Sequence, residues 1–359
     1  MLRRPNQSLN FLAVFTLGAL ASGGCGGAPP AKAPDGAPAA AKQPAPLDPS
    51  AQLAGRAKAA LGQLPSPPQS PPELVALGRK LFFEKGVSAD GDVGCVTCHD
   101  REHFAADGLP KSKGAFGRLN ARNAPTVFNA AYQFAEHWRA DRESVEDQAR
   151  RALLGPASFG LDSNETAVKL MRELPYADAF QRVFPQSPAP ISVENWGTAI
   201  GAYERTLLTP APIDAFMAGD AHALSSQQQA GLTTFLDLGC ARCHSGPLVG
   251  GDFTKKFGTV ADYAPLTNSN PADAGRFDVT HNEADRFVFK VPSLRNVQKT
   301  APYFHDGSVP ELPRAIEIMA ATQLGTQLSP QQLEDLVAFL GSLTGTIPDS
   351  FAPPDSNRP

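Results

Sequence analysis

The sequence has no apolar run long enough to cross a bilayer, which takes about 20 consecutive apolar residues. Its best candidate, Phe11 to Leu20 (FLAVFTLGAL), stops well short of that length. An excess of basic charge is also missing. The 32 Lys+Arg against 36 Asp+Glu leave a formal charge of −4, so no cationic field is available to hold a nucleic acid. There is no βαβ pattern, which removes the thioredoxin-type setting for a redox-active cysteine pair. Cysteine itself is scarce and odd in number, 5 in 359 residues. What is present is chain for about two domains, since one core usually stops growing near ~250–300 residues. A composition of 42% hydrophobic and 19% charged residues is that of a globular protein.

The first 24 residues read as a signal peptide: Arg3 and Arg4, the short apolar run, then small residues up to Cys25. Ser22-Gly23-Gly24-Cys25 resembles a bacterial lipobox, although Ser22 stands where such boxes usually carry leucine. Export to the periplasm is expected, with a lipid anchor at Cys25 or, alternatively, ordinary cleavage to a soluble protein. Residues 25–70 are rich in Ala, Pro and Gly and are expected to be a disordered tether.

Beyond it, Leu74, Leu77, Leu81 and Phe82 recur at helical spacing and precede Cys95-Val96-Thr97-Cys98-His99. A second helical stretch, Ala230 to Leu238, leads into Cys240-Ala241-Arg242-Cys243-His244, 145 residues later. CxxCH is the attachment signature of c-type haem: both thiols add to the vinyl groups and the histidine becomes the proximal iron ligand. With 5 Cys and 7 His in 359 residues, one such string arises by chance about once in 700 chains. A four-thiolate zinc site usually has its two knuckles ~12–20 residues apart. Disulfides suit an exported chain but give no reason for a histidine after each pair. Two covalent haems are therefore expected.

Other patterns favour helix over sheet. Ser192 caps a stretch with Val193, Trp196, Ile200, Tyr203 and Leu207 on one face. Ser329-Pro330-Gln331-Gln332 is a capping box opening a helix with Leu333, Leu336, Val337 and Leu340 on one face. The expected fold is all-α, with two cytochrome c-like haem domains in tandem over 71–215 and 216–348 and a tail at 349–359.

The chain resembles the bacterial di-haem cytochrome c peroxidase family, which includes the MauG-type enzymes. The resemblance runs from about Leu77 to Gly345. It rests on GCVTCH, on Arg122-Asn123-Ala124-Pro125-Thr126 followed by FNAA, and on His137-Trp138 leading into SVEDQA. AIGAYERTLL, GCARCHSG, FKVPSLRNV, TAPYFHDGS and LVAFLGSLTG continue it. The resemblance implies a C-terminal haem that takes electrons from a small periplasmic cytochrome c or cupredoxin. It also implies an N-terminal haem where hydrogen peroxide is reduced. His99 and His244 match the proximal ligands and Met319 the sixth ligand of the C-terminal haem, where MauG-type enzymes carry tyrosine. Trp138 matches an electron relay between the haems, and His305 a residue approaching a propionate of the C-terminal haem. Asn123, with the carbonyls of Thr300 and Pro302, matches a calcium site, for which oxygen donors are suited. Whether the chain dimerises is left open.

Two residues depart from the family pattern at the reacting haem. Ala115 stands where closed-resting members carry a histidine ligand, which implies an open or water-bound distal face. Ser158 stands where the family places a glutamate that moves protons, and loss of such a group typically costs ~10²–10⁴-fold in rate. Asp162 and Glu165 are candidate substitutes. The remaining histidines, His103, His137, His222 and His281, are expected at the surface or in packing. Two rival readings stand beside the peroxidase: an electron-transfer or ligand-sensing cytochrome, and a MauG-like oxidase.

Overall fold

The computed structural model describes Gly27, residues 48–267, Ser269 and residues 273–354. The expected signal peptide and the lipobox at Cys25 lie outside the described residues. Helices come in the order α1 (Pro49–Leu61), α2 (Pro72–Phe83), α3 (Cys95–Cys98), α4 (Val145–Ala152), α5 (Asn164–Glu173), α6 (Ala177–Val183) and α7 (Val193–Glu204). After these come α8 (Pro212–Met217), α9 (Ser226–Asp237), α10 (Ala264–Thr267), α11 (Phe277–Thr280), α12 (Leu312–Met319) and α13 (Pro330–Gly341). Strand is confined, among the described residues, to β1 (Thr254–Lys256) paired antiparallel with β2 (Val288–Lys290) in the register Thr254↔Lys290. The helix-rich expectation therefore holds, with one small ribbon added.

Serines start five of these helices, at Ser144, Ser163, Ser192, Ser225 and Ser329, each accepting from an amide in the first turn. Such caps satisfy donors that the helix itself cannot. Val193, Trp196, Ile200, Tyr203 and Leu207 are all buried, as their spacing predicts. In α13 the buried face is Asp335, Leu336, Phe339 and Leu340; Leu333 and Val337 are only half-buried, so the face is rotated from the expected one.

Two helix crossings repeat the same device. At α2/α7, a Cβ on Gly78 would lie 1.9 Å from the Ala199 carbonyl oxygen and 2.9 Å from Tyr203 Cβ. At α9/α13, one on Gly231 would lie 1.8 Å from the Asp335 carbonyl oxygen and 2.8 Å from Phe339 Cβ. Only glycine lets these backbones meet. Each crossing anchors an apolar core, one drawn from Leu77 to Ile200 and the other mainly from Ala211 to Leu343. A buried node ties elements of the two segments together. Asn129 and Asn296, both in the left-handed region (φ 62° and 64°), donate from Nδ2 to Thr209 Oγ1 at 2.8 and 3.0 Å.

Two boundaries differ from expectation. Residues 25–70 are not tether throughout, because Pro49–Leu61 is a helix capped by Asp48. Its Leu53, Ala54, Ala57 and Leu61 join the C-terminal core. Alanine is the best helix former, and this stripe is apolar enough to offset its ordering. Residues 349–359 are not a free tail as far as they are described. Phe351 is 1% exposed and packs with Phe82, Phe128 and Tyr203 of the N-terminal segment. Tyr203 Oη donates to the Ser350 carbonyl at 3.0 Å, and Arg79 donates to that of Ala352.

Candidate functional site

The first CxxCH forms the single turn α3, fixed by the Gly94 amide donating to Thr97 Oγ1 at 3.0 Å. His99 Nδ1 lies 3.0 Å from the Ala105 carbonyl. A neutral imidazole donating there leaves its Nε2 lone pair free for a metal. Burial lowers the pKa of His99, favouring that neutral form. Burial also raises both thiols, Cys98 to about 11, and neither cysteine is in a disulfide.

At the second motif, Gly239 (φ 88°) ends α9 and turns the chain into Cys240–Arg242. Cys240, Cys243 and His244 line a cavity that Met319, Trp138, Asn123, Thr300 and Pro302 also line, with Phe257, Phe289, Leu336 and Leu340 among its apolar walls. Burial lowers His244 to about 4, the carbonyls of Pro292 and Val249 opposing it. Its Nδ1 meets neither in hydrogen-bond geometry. Met319 closes α12 and is followed by a π-helical turn, Ala320–Leu324; such turns are frequent at functional sites.

Trp138 is held at this wall. Its Nε1 donates to the Asn123 carbonyl at 3.0 Å, and its own carbonyl accepts from the Lys290 amide at 2.7 Å. The Asn123 amide donates to the His305 carbonyl at 2.8 Å, and Asn123 Nδ2 to that of Leu109 at 2.9 Å. His305 is 1% exposed, stacks on Phe289 at 4.3 Å and meets Trp138 edge-on at 6.4 Å. It stands behind the cavity wall; it is not among the residues lining the cavity.

In the N-terminal segment, the two departures from the family pattern are brought into contact. The Ala115 amide donates to the Ser158 carbonyl at 2.8 Å, and Ala115 is fully buried. Asp90 braces this turn by accepting from the Phe116 amide at 2.5 Å, a bond that heads the causes lowering its pKa. Asp162 and Glu165 are exposed; Asp162 is bonded to Thr166 and Ser163. His103 lies at the surface, paired with Asp100 at 2.8 Å.

The model of the di-haem cytochrome c peroxidase family matches residues 72–222. The cytochrome c551 peroxidase of Pseudomonas aeruginosa is 41% identical over 278 residues, covering 76% of this chain and 79% of that protein. The chain belongs to the di-haem cytochrome c peroxidase family. The methylamine utilization protein MauG of Methylorubrum extorquens is 32% identical over 296 residues, covering 78% of this chain and 81% of that one. Among solved structures, a MauG-like protein associated with microbial copper homeostasis superposes with a TM-score of 0.70 at 28% identity. That match covers 81% of this chain and 96% of the other. This family member is an oxidoreductase, and membership implies two c-type haems. The residues present fit such groups: each CxxCH histidine is half-buried with its pKa lowered by desolvation, which favours the ligating neutral ring, and the second faces an apolar cavity.

Sequence reasoning missed three groups in this peroxidase-family chain. Glu204 is 4% exposed and close enough to Cys95 to raise its pKa; burial raises that of Glu204 itself. Its position four residues after Ile200, on the apolar face of α7, was the readable sign. Glu136 and Lys290 form a buried pair, Nζ 3.5 Å from Oε2, with Nζ also donating to the Ala135 carbonyl at 2.9 Å. His137, expected at the surface or in packing, lines the cavity with Nδ1 3.4 Å from Asp141 Oδ1.

Proposed function

We propose that the protein reduces hydrogen peroxide to water with electrons from a small periplasmic cytochrome c or cupredoxin. The observation that carries this reading is that Cys240, Cys243, His244, Met319 and Trp138 line a single cavity. Bound haem would supply the redox-active iron, at His99 for peroxide and at His244 and Met319 for the incoming electron. Cys95 and Cys98, and Cys240 and Cys243, would hold the two groups in two tandem haem domains. The Ala105 carbonyl orients the His99 ring, and a Met319 thioether suits a site that must accept electrons readily. Trp138, fixed at both its indole nitrogen and its carbonyl, would relay charge without reorganising.

Ala115 offers no ligand atom, so the distal face of the His99 site is open on this reading. Ser158 offers a neutral hydroxyl where an acid–base group is wanted. That feature favours a second reading, an electron-transfer or sensing cytochrome with weak peroxidase activity. A calcium ion beside Trp138 belongs to the same proposal, supported by Asn123, Thr300 and Pro302 lining one cavity, where among the described residues nothing donates to Asn123 Oδ1 or to the Thr300 and Pro302 carbonyls. A periplasmic location, anchored through Cys25, completes the proposal.

Purified holoprotein, peroxide and reduced cytochrome c separate the two readings. The peroxidase reading expects turnover that Ser158→Ala leaves nearly unchanged. Negligible turnover restored by Ser158→Glu, by up to the ~10²–10⁴-fold of a positioned acid–base group, would support the electron-transfer reading. A resting spectrum with two low-spin haems would sink the open distal face.

A further inference from the structure

Behind the cavity wall, aromatic rings converge on one tyrosine. Tyr263 is 3% exposed. Its ring stacks on Phe257 at 4.0 Å and 8°, and Phe257 lines the cavity. Tyr263 also meets His305 at 6.0 Å, the same imidazole that Trp138 meets at 6.4 Å. One ring therefore separates Tyr263 from the cavity, and one separates it from Trp138. Burial first, and then the charge of Asp273, Asp306 and Asp262, raises the pKa of its phenol, and Asp273 Oδ2 lies 3.8 Å from His305 Nε2.

A tyrosine that yields an electron must also shed its phenolic proton, so the neighbours of its hydroxyl decide which tyrosine can serve. Tyr132, Tyr203 and Tyr303 donate to the carbonyls of Arg205, Ser350 and Val297, which do not take up a proton. Tyr176 donates to the Glu84 carboxylate at 3.0 Å but has no ring contact leading to Trp138. Tyr263 combines a ring path with a carboxylate on the same imidazole, Asp273 Oδ2 lying 3.8 Å from Nε2 of the His305 ring that Tyr263 meets, and its negative charge also favours electron loss.

We infer that Tyr263 is an internal reductant, oxidised through His305 and the cavity-wall aromatics when peroxide arrives and no donor protein is present. Each Tyr263 gives one electron to the oxidised site and its phenolic proton to the Asp273 carboxylate beside His305, leaving a neutral tyrosyl radical. One chain carries one Tyr263, so it supplies one electron and one proton of the two of each in H2O2 + 2 e− + 2 H+ → 2 H2O; the other electron would come from bound haem and the other proton from solvent. This rests on the peroxide reading above.

The test treats donor-free holoprotein with hydrogen peroxide, freezes it and records electron paramagnetic resonance. Peroxide loss is followed in parallel. A tyrosyl signal is expected in the unmutated protein and in Tyr303→Phe, and is expected to vanish in Tyr263→Phe. Spin trapping followed by peptide mass spectrometry of the unmutated protein should place the adduct on Tyr263, without reliance on the variant's fold. A signal that survives Tyr263→Phe, or an adduct on another residue, would overturn the assignment while peroxide consumption stands. No peroxide loss at all would overturn both readings.

Discussion

The two glycine crossings lend themselves to a quantitative test. A methyl placed on Gly78 would sit 1.9 Å from the Ala199 carbonyl oxygen, where an ordinary carbon–oxygen contact is about 3.3 Å. The helices α2 and α7 must therefore part by about 1.4 Å, or the chain must bend locally. The obstacle is backbone, which cannot swing aside as a side chain can, so the cost belongs near the upper end of the ~1–3 kcal/mol of overpacking. Alanine's better helix propensity returns about 1 kcal/mol, leaving a net loss of roughly 2 kcal/mol. At ~2–4 °C per kcal/mol for a protein somewhat smaller than this one, Gly78→Ala should lower the melting temperature of the holoprotein by about 4–8 °C. Gly231→Ala should do the same, and the double variant should show about the sum, because separate crossings do not share neighbours. Gly55→Ala is the control: it lies in α1 with nothing within 4 Å of an added Cβ, and should be neutral or slightly stabilising. Melting is read by far-ultraviolet circular dichroism. A Gly78→Ala melt within about 1 °C of the unmutated protein, or a Gly55→Ala melt that falls as far, would refute the crossing argument.

Other expectations follow from single contacts. Phe351→Ala removes a ring that is 1% exposed, and should cost about 3–5 kcal/mol in denaturant unfolding. Lys290→Met leaves Glu136 buried without its 3.5 Å partner and should cost about 3–5 kcal/mol; adding Glu136→Leu should recover most of that, and no recovery would argue against the pair. Burial would raise the Asp273 carboxyl, but Arg122, 2.5 Å away, outweighs it, and the net pKa is lowered. The contribution of Asp273 is thus present above its ordinary pKa of ~3.9 and lost as pH falls through the lower folded value. Melting temperatures between about pH 6 and pH 2 should therefore fall more steeply in the unmutated protein than in Arg122→Leu.

The sequence made some of this visible because the relevant signals are local. The serine caps, the stripe on α7 and the two CxxCH turns each depend on residues within a few positions of one another. Helix α1 escaped because its alanines, averaged with the prolines on either side, look like linker. Yet Asp48 as cap, Pro49 in the first turn and Leu53, Ala57 and Leu61 on one face already spelled a helix. Phe351 gave no comparable sign, being one aromatic between prolines whose partners lie more than 140 residues earlier. His137 and Lys290 were unreadable for the same reason: what a polar side chain faces is decided by distant chain. The contact between Ala115 and Ser158 is a tertiary fact too, although the sequence had marked each residue separately.

The crossed ends of the chain set an order on biosynthesis. Domains generally fold as units while the chain is being made, N-terminal first. Here Phe351, the ring that packs on Phe82, Phe128 and Tyr203 of the first segment, follows the last helix of the second segment. Helix α1, made before either core, has its apolar stripe matched by residues that begin at Ala211. Neither segment is finished on its own schedule: the early helix waits for late sequence, and the early aromatic cluster of Phe82, Phe128 and Tyr203 waits for the late ring. A nascent chain stopped between α7 and α13 would expose both surfaces together, so arrested or truncated forms should be recognised and degraded as incomplete rather than persist as a working single-haem fragment.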